Sequence, residues 1–114
     1  MSVEEPFQIT TRQGEDRVIL ELDGELDLLN APLLESALAN SGVDQAGTVV
    51  LDLRRVTFID STGLRTIFGA RNAARERGQA FAVTPGSHQV QRLLSVTRLG
   101  EHLPTISTPD EALT

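Results

Sequence analysis

The sequence predicts an α/β fold: one compact domain over residues 1–114, built on a mixed, mostly parallel central sheet. Two alternating apolar segments near the start, joined by a short turn, give an N-terminal antiparallel strand pair. From residue 24 onward, segments of helical period alternate with short apolar runs, the pattern of parallel strands joined by helical crossovers. Glycine and proline fall at the borders between these segments, where a chain changes direction. The expected order is β-β-α-β-α-β-α-β-α.

The elements follow in turn. In "PFQITTRQ" (6–13), Phe7, Ile9 and Thr11 alternate with polar neighbours, and Gly14, Glu15 and Asp16 form a turn. "RVILELDG" (17–24) sets Val18, Leu20 and Leu22 on one face and Ile19, Glu21 and Asp23 on the other. Within "GELDLLNAPLLESALANSG" (24–42), Leu33, Leu34, Ala37 and Leu38 form a helical stripe. Asn30 is its expected cap, Pro32 suits its first turn and Gly42 its stop. The unbroken apolar run of "GTVVLDLRRV" (47–56) suits a strand covered on both faces and continuing to Ile59. The next helix opens after Asp60, carries Leu64, Ile67, Phe68 and Ala74 on its inner side, and ends at Gly78. Arg71 shares that stripe, and its stem is expected to lie along the edge of the core. "QAFAVT" (79–84) is a strand, Pro85, Gly86 and Ser87 a turn, and Val90, Leu93 and Leu94 mark a third helix. "LPTIST" (103–108) reads as a last strand and "TPDEAL" (108–113) as a final short helix.

Composition narrows the function classes. The chain has no cysteine, which removes disulfides, thiol nucleophiles and cysteine metal sites. All ten basic residues are arginine, so no mechanism that needs an active-site lysine is available. A net charge of −6, with no Trp or Tyr and only four Phe, argues against nucleic-acid binding by phosphate neutralisation or base stacking. The opening "MSVEEPFQIT" lacks the basic and apolar regions of a secretory signal, and no apolar run is long enough to span a bilayer. A cytoplasmic protein without a membrane partner is the expectation.

The strand-to-helix junction at Asp60-Ser61-Thr62-Gly63 holds the most chemistry. Asp, Ser and Thr are all good N-caps, so the simplest reading is a helix start. The same corner also suits a phosphate, because a helix N-terminus favours negative charge and offers unpaired N–H groups. A hydrolase nucleophile at Ser61 is disfavoured, since Ile59-Asp60-Ser61-Thr62-Gly63 matches only one glycine of the Gly-x-Ser-x-Gly elbow. His88 and His102, the only histidines, lack helical partners and read as surface residues. Asp23, Glu25 and Asp27 form an acidic turn without calcium-loop spacing, so no metal site or cofactor is expected. Arg71, Arg75 and Arg77 with Glu76 read as a solvated helix end.

Three segments, in order, carry a family resemblance: "GELDLLNAPLL", "VVLDLRRVTFIDSTGLRTIF" and "RLLSVTRLGEHLPTISTPDEAL". The chain resembles the STAS domain of bacterial anti-sigma-factor antagonists over nearly its whole length. The resemblance implies that Ser61 is the serine phosphorylated by a partner anti-sigma factor, itself a serine kinase of the histidine-kinase-like ATPase type. Unphosphorylated, such an antagonist binds the kinase and frees a sigma factor; phosphorylated, it lets go, and a PP2C-type phosphatase restores it. Asp27, Thr57, Asp60, Thr62 and Gly63 match positions around the docking face. Arg65 and Thr66 are expected beside them, with Gly69 and Ala70 on the outer side of the helix. Two positions depart from the family pattern: Arg65 and Arg98 stand where many members carry glycine. Two other readings compete. One is a STAS scaffold or accessory subunit of a transporter or stress-signalling complex without a Ser61 cycle. The other is a small enzyme, disfavoured by the missing lysine, cysteine and acid–base pair.

Overall fold

In the computed structural model, residues 7–40, 42–96 and 103–111 are described. Strand β1 (Gln8–Gly14) turns through Glu15 and Asp16 into β2 (Arg17–Leu26). Helix α1 (Ala31–Asn40) follows, then a 3-10 turn over Val43–Gln45 and the long strand β3 (Thr48–Ile59). Helix α2 (Ser61–Glu76), strand β4 (Ala80–Thr84) and helix α3 (His88–Val96) complete the regular elements.

The sheet order is β1-β2-β3-β4, with β1 antiparallel to β2 and the other pairs parallel. This is the mixed sheet that the sequence predicts. The tight turn at Asp16 takes a left-handed backbone (φ 56), and the Asp16 carbonyl accepts from the N–H groups of Gly47 and Thr48. Oδ1 of Asp16 also accepts from Gly47 N–H at 2.9 Å. The first hairpin is thereby tied to the start of β3, which fixes the register Arg17↔Thr48.

Because β side chains alternate, the two sheet faces carry different chemistry. Val18, Leu20, Leu22, Val49, Leu51, Leu53, Phe81 and Val83 share one face and pack in a single cluster with residues of all three helices. Ile19, Val50 and Ala82 lie on the other face, where Ile106 joins them in a small second cluster. Further along that face, Asp52 is buried and receives Nε and Nη2 of Arg54 at 3.0 and 2.9 Å. The β3 run is thus buried on both faces, and the three helices pack against one of them.

The C-terminal part departs from expectation. The predicted strand 103–108 makes one parallel bridge, Val83↔Thr105. The predicted helix 108–113 is, over its described residues, a turn in which Glu111 N–H donates to the Thr108 carbonyl. Its last two residues lie outside the described part, as do His102 and Arg98. Tertiary contacts govern this segment. Arg17 Nη1 donates to the carbonyls of Pro109 and Glu111 at 2.6 and 2.9 Å, and Arg12 pairs with Asp110 at 3.3 Å. The peptide groups are satisfied across the sheet, not along a helix.

Candidate functional site

The site is built where β2 and β3 end side by side, Leu26 opposite Ile59. The chain leaves β2 into the turn before α1 and leaves β3 into α2. Asp60 joins the two exits. Its Oδ1 accepts from Gly63 N–H at 2.8 Å, which caps α2, and its Oδ2 accepts from Leu28 N–H at 3.0 Å. Asp60 N–H in turn donates to the Leu26 carbonyl at 3.3 Å. These donors, Gly63 first and then Leu28 and Thr62, hold the Asp60 carboxyl below its ordinary pKa, against a desolvation that pushes it up.

Asp27 holds the turn that leads into α1. Its Oδ1 accepts from Leu29 and Asn30 N–H at 3.1 and 3.0 Å, and its carbonyl accepts from Ala31 N–H at 2.8 Å. The expected cap, Asn30, instead turns its side chain back, Nδ2 donating to the Glu25 carbonyl at 2.9 Å. Asp27 wins because its side chain stands at the start of the turn, where the N–H groups of 29 and 30 converge.

Gly63 is buried against the other exit. A Cβ there would sit 2.2 Å from the Leu26 carbonyl oxygen and 2.9 Å from Leu26 Cγ. Only glycine lets α2 start this close to the end of β2.

With Asp60 as the cap, Ser61 is freed from that task. Ser61 is the first residue of α2 and is exposed, and among the described residues no hydrogen bond engages its Oγ. By residue type Asp60, Ser61 and Thr62 can all cap; in the structure the Asp60 carboxylate takes the Gly63 N–H. Thr62 is half-buried, and its carbonyl accepts from Oγ1 of Thr66 at 3.0 Å. Thr57 is exposed, with Oγ1 3.4 Å from the Gly24 carbonyl. Arg65 is exposed one turn beyond Ser61. Gly69 is exposed as expected, but Ala70 is not on the outer side: at 8% exposure it belongs to the core, on the same inward side as Ile67 and Ala74.

Two surface features adjoin the junction. Among the described residues, the exposed large apolar side chains are Leu28, Leu29, Leu33 and Phe58, at 67, 84, 50 and 40%. Leu28 and Leu29 occupy the turn held by Asp60 and Asp27, Leu33 the first turn of α1, and Phe58 the end of β3 opposite Glu25. The sequence places Leu33 on the apolar stripe of α1, but at 50% exposure it stands apart from the buried Leu34; for Leu28 and Leu29, two adjacent leucines after the acidic residues Glu25 and Asp27 are the visible signal. The second feature is a groove of about 430 Å³ between α1 and α2, with Glu35 and Leu38 on one wall and Thr62, Arg65, Thr66 and Gly69 on the other.

The remaining candidates are structural. Among the described residues no group of three His, Asp or Glu side chains could hold a metal ion. Asp23 instead lies 3.7 Å from Arg55. His88 is exposed, and Arg71 lies over the Phe68 ring at 5.7 Å. No helix among the described residues is long and apolar enough to cross a membrane.

At this parallel sheet end one aspartate caps α2 and leaves the serine beside it exposed, in a chain whose family is that of the STAS domain. The family model for that domain matches residues 8–112, and the chain belongs to the STAS family. The anti-sigma-F factor antagonist RsfB of Mycobacterium tuberculosis is 28% identical over 114 residues, all of this chain and 93% of the relative. An anti-sigma-B factor antagonist of Listeria monocytogenes is 30% identical over 86 residues, 75% of each chain. Among solved structures, a putative anti-sigma factor antagonist from Thermotoga maritima superposes with a TM-score of 0.77 at 28% identity, covering 88% of this chain and 86% of that one. By name, each of these relatives is an antagonist of an anti-sigma factor.

Proposed function

We propose that this chain, as one domain over 1–114, is an anti-sigma-factor antagonist that works in the cytoplasm by partner switching on Ser61. Unphosphorylated, it binds an anti-sigma factor that is also a serine kinase of the histidine-kinase-like ATPase type, and a sigma factor is released. The kinase transfers the γ-phosphoryl group of ATP to Ser61 Oγ, ADP leaves, and the hydroxyl proton passes to the kinase's base. The phosphorylated form lets go, and a PP2C-type phosphatase returns the hydroxyl.

The observation that carries this reading is the exposed, unengaged Ser61 Oγ at the first position of α2. Asp60 takes the capping role, so the Ser61 hydroxyl is not needed to hold the helix start and is open to an incoming kinase. The names of the relatives support the choice of an anti-sigma factor as the partner. The docking face comprises Asp27, Thr57, Asp60, Ser61, Thr62, Gly63, Arg65 and Thr66. Leu28, Leu29 and Phe58 supply apolar area at its edge, and such side chains are what an interface core buries. Asp27, Asp60 and Gly63 shape this face through backbone contacts, while Ser61, Thr57 and Arg65 are exposed for direct contact.

The switch is electrostatic. A phosphate adds about −1.5 to −2 charges beside Asp60 and near the Asp27 turn. Burying a charge without its partner at an interface costs on the order of 2–5 kcal/mol, and each ~1.4 kcal/mol is tenfold in affinity. Release by a factor of tens to thousands follows. The experiment is intact-mass analysis after incubation with ATP and the cognate anti-sigma kinase. One phosphoryl group is expected on the native chain and none on Ser61→Ala. Equal phosphorylation of both would remove Ser61 as the acceptor.

A further inference from the structure

We propose that Arg65 is the intramolecular counter-ion of phosphorylated Ser61, an inference that rests on the phosphoacceptor reading above. Ser61 and Arg65 stand four residues apart on α2, and both are exposed. At that spacing their Cβ atoms lie about 5–6 Å apart on one helix face. Helical side chains lean towards the N-terminus, so the Arg65 stem is directed back over the turn that Ser61 opens.

The other arginines of this region are committed or distant. Arg54 is held by Asp52, and Arg55 faces Asp23. Arg71 lies over Phe68 and donates to Asn72. Arg75 is ten residues farther along α2 than Arg65, which places it about 15 Å beyond it. Among the described residues, Arg65 makes no ion pair and no side-chain hydrogen bond.

The charged residues that chain and turn bring next to Ser61 are acidic. Asp60 precedes it, Asp27 lies in the turn tied to Asp60 through Leu28, Glu25 stands at the end of β2, and Glu35 lines the α1–α2 groove with Arg65. A phosphate on Ser61 would sit among these carboxylates with the helix N-terminus and one guanidinium as its favourable neighbours. The planar guanidinium can donate two N–H groups to two phosphate oxygens at once. Before phosphorylation the same side chain lines the groove between the helices, so pairing also draws a positive charge away from the rim of that groove. The phosphate is thereby felt beyond the serine that carries it.

The test separates this pairing from the kinase reading by placing phosphoserine at position 61 of the full chain through genetic encoding, without any kinase. The second phosphate pKa is then followed by phosphorus NMR in the native background and in Arg65→Gln and Arg65→Lys. With Arg65 present that pKa is expected about 0.2–0.7 unit lower than in the glutamine variant. Lysine should recover most of the difference, and the Arg65 Nε–H resonance should move on phosphorylation. Coincident titration curves for arginine and glutamine would overturn the pairing, whether or not a kinase modifies Ser61. A clear gap in a protein that its anti-sigma kinase never phosphorylates would uphold the pairing and remove the regulatory cycle it serves.

Discussion

The backbone N–H of Leu28 donates to Oδ2 of Asp60 at 3.0 Å, across 32 positions of sequence. The other oxygen of the same carboxylate caps α2 through Gly63. One side chain therefore fixes both the turn before α1 and the start of α2, and the exposed Ser61 is presented from a braced corner. Asp60→Ala should lower the melting temperature and weaken partner binding together. Asp60→Asn keeps an oxygen for Gly63 but offers Leu28 an N–H instead of an acceptor. It is therefore expected to preserve α2 while freeing the turn, which hydrogen exchange at Leu28 would report.

The same carboxylate gives a pH dependence of known sign. Hydrogen bonding depresses the Asp60 pKa in the folded state below its unfolded value. The unfolded chain thus binds more protons in that range, and stability rises with pH there. The contribution of Asp60 is complete above the ordinary aspartate pKa, near 4, and is lost as the pH falls through the lower folded value. Denaturant midpoints measured across this acid range should fall less steeply in Asp60→Asn than in the native chain.

Gly63 predicts a steric result. Because a Cβ would lie 2.2 Å from the Leu26 carbonyl, alanine cannot be accepted without moving α2 away from β2. Gly63→Ala should destabilise by about 1–3 kcal/mol, the usual range for overpacking, although alanine is the better helix former. Urea unfolding would measure it. At Gly69, which has nothing within 4 Å of its hypothetical Cβ, the same substitution should be neutral or stabilising.

Leu29 separates docking from folding. At 84% exposure it adds little to the core, so Leu29→Ser should change stability by less than about 0.5 kcal/mol. Burial of a leucine against a partner is worth about 1.5–3 kcal/mol, so the variant should bind the anti-sigma factor roughly tenfold to a hundredfold more weakly. Calorimetry with the purified partner reads both the affinity and its heat-capacity change.

Most of the architecture was legible from local pattern. The alternation of Val18, Leu20 and Leu22 and the stripe of Leu64, Ile67 and Ala74 each encode a face directly, and both faces are where the pattern put them. The Asp60-Ser61-Thr62-Gly63 corner was also visible, because a β-to-α change of period has to be capped. The division of labour within it was not. Which of Asp60 and Ser61 takes the N–H groups depends on Leu28, far away in sequence, whose own N–H recruits the carboxylate. Asn30 lost its expected capping role for a similar reason, drawn back to the Glu25 carbonyl while Asp27 met the turn. The last segment departs most from its local pattern. "TPDEAL" has local helix-start chemistry, but Arg12 and Arg17, 92 to 98 positions away, hold its carbonyls and Asp110 in a turn.

The central claim is that a phosphate on Ser61 turns docking off. Its most direct measurement is the affinity of the purified anti-sigma kinase for the chain carrying serine, alanine or genetically encoded phosphoserine at position 61. Serine and alanine should bind alike, and phosphoserine tens to thousands of times more weakly, the factor that about 2–5 kcal/mol implies for a phosphate whose charge one guanidinium neutralises only in part. Equal affinity of the phosphoserine and serine forms would contradict the account.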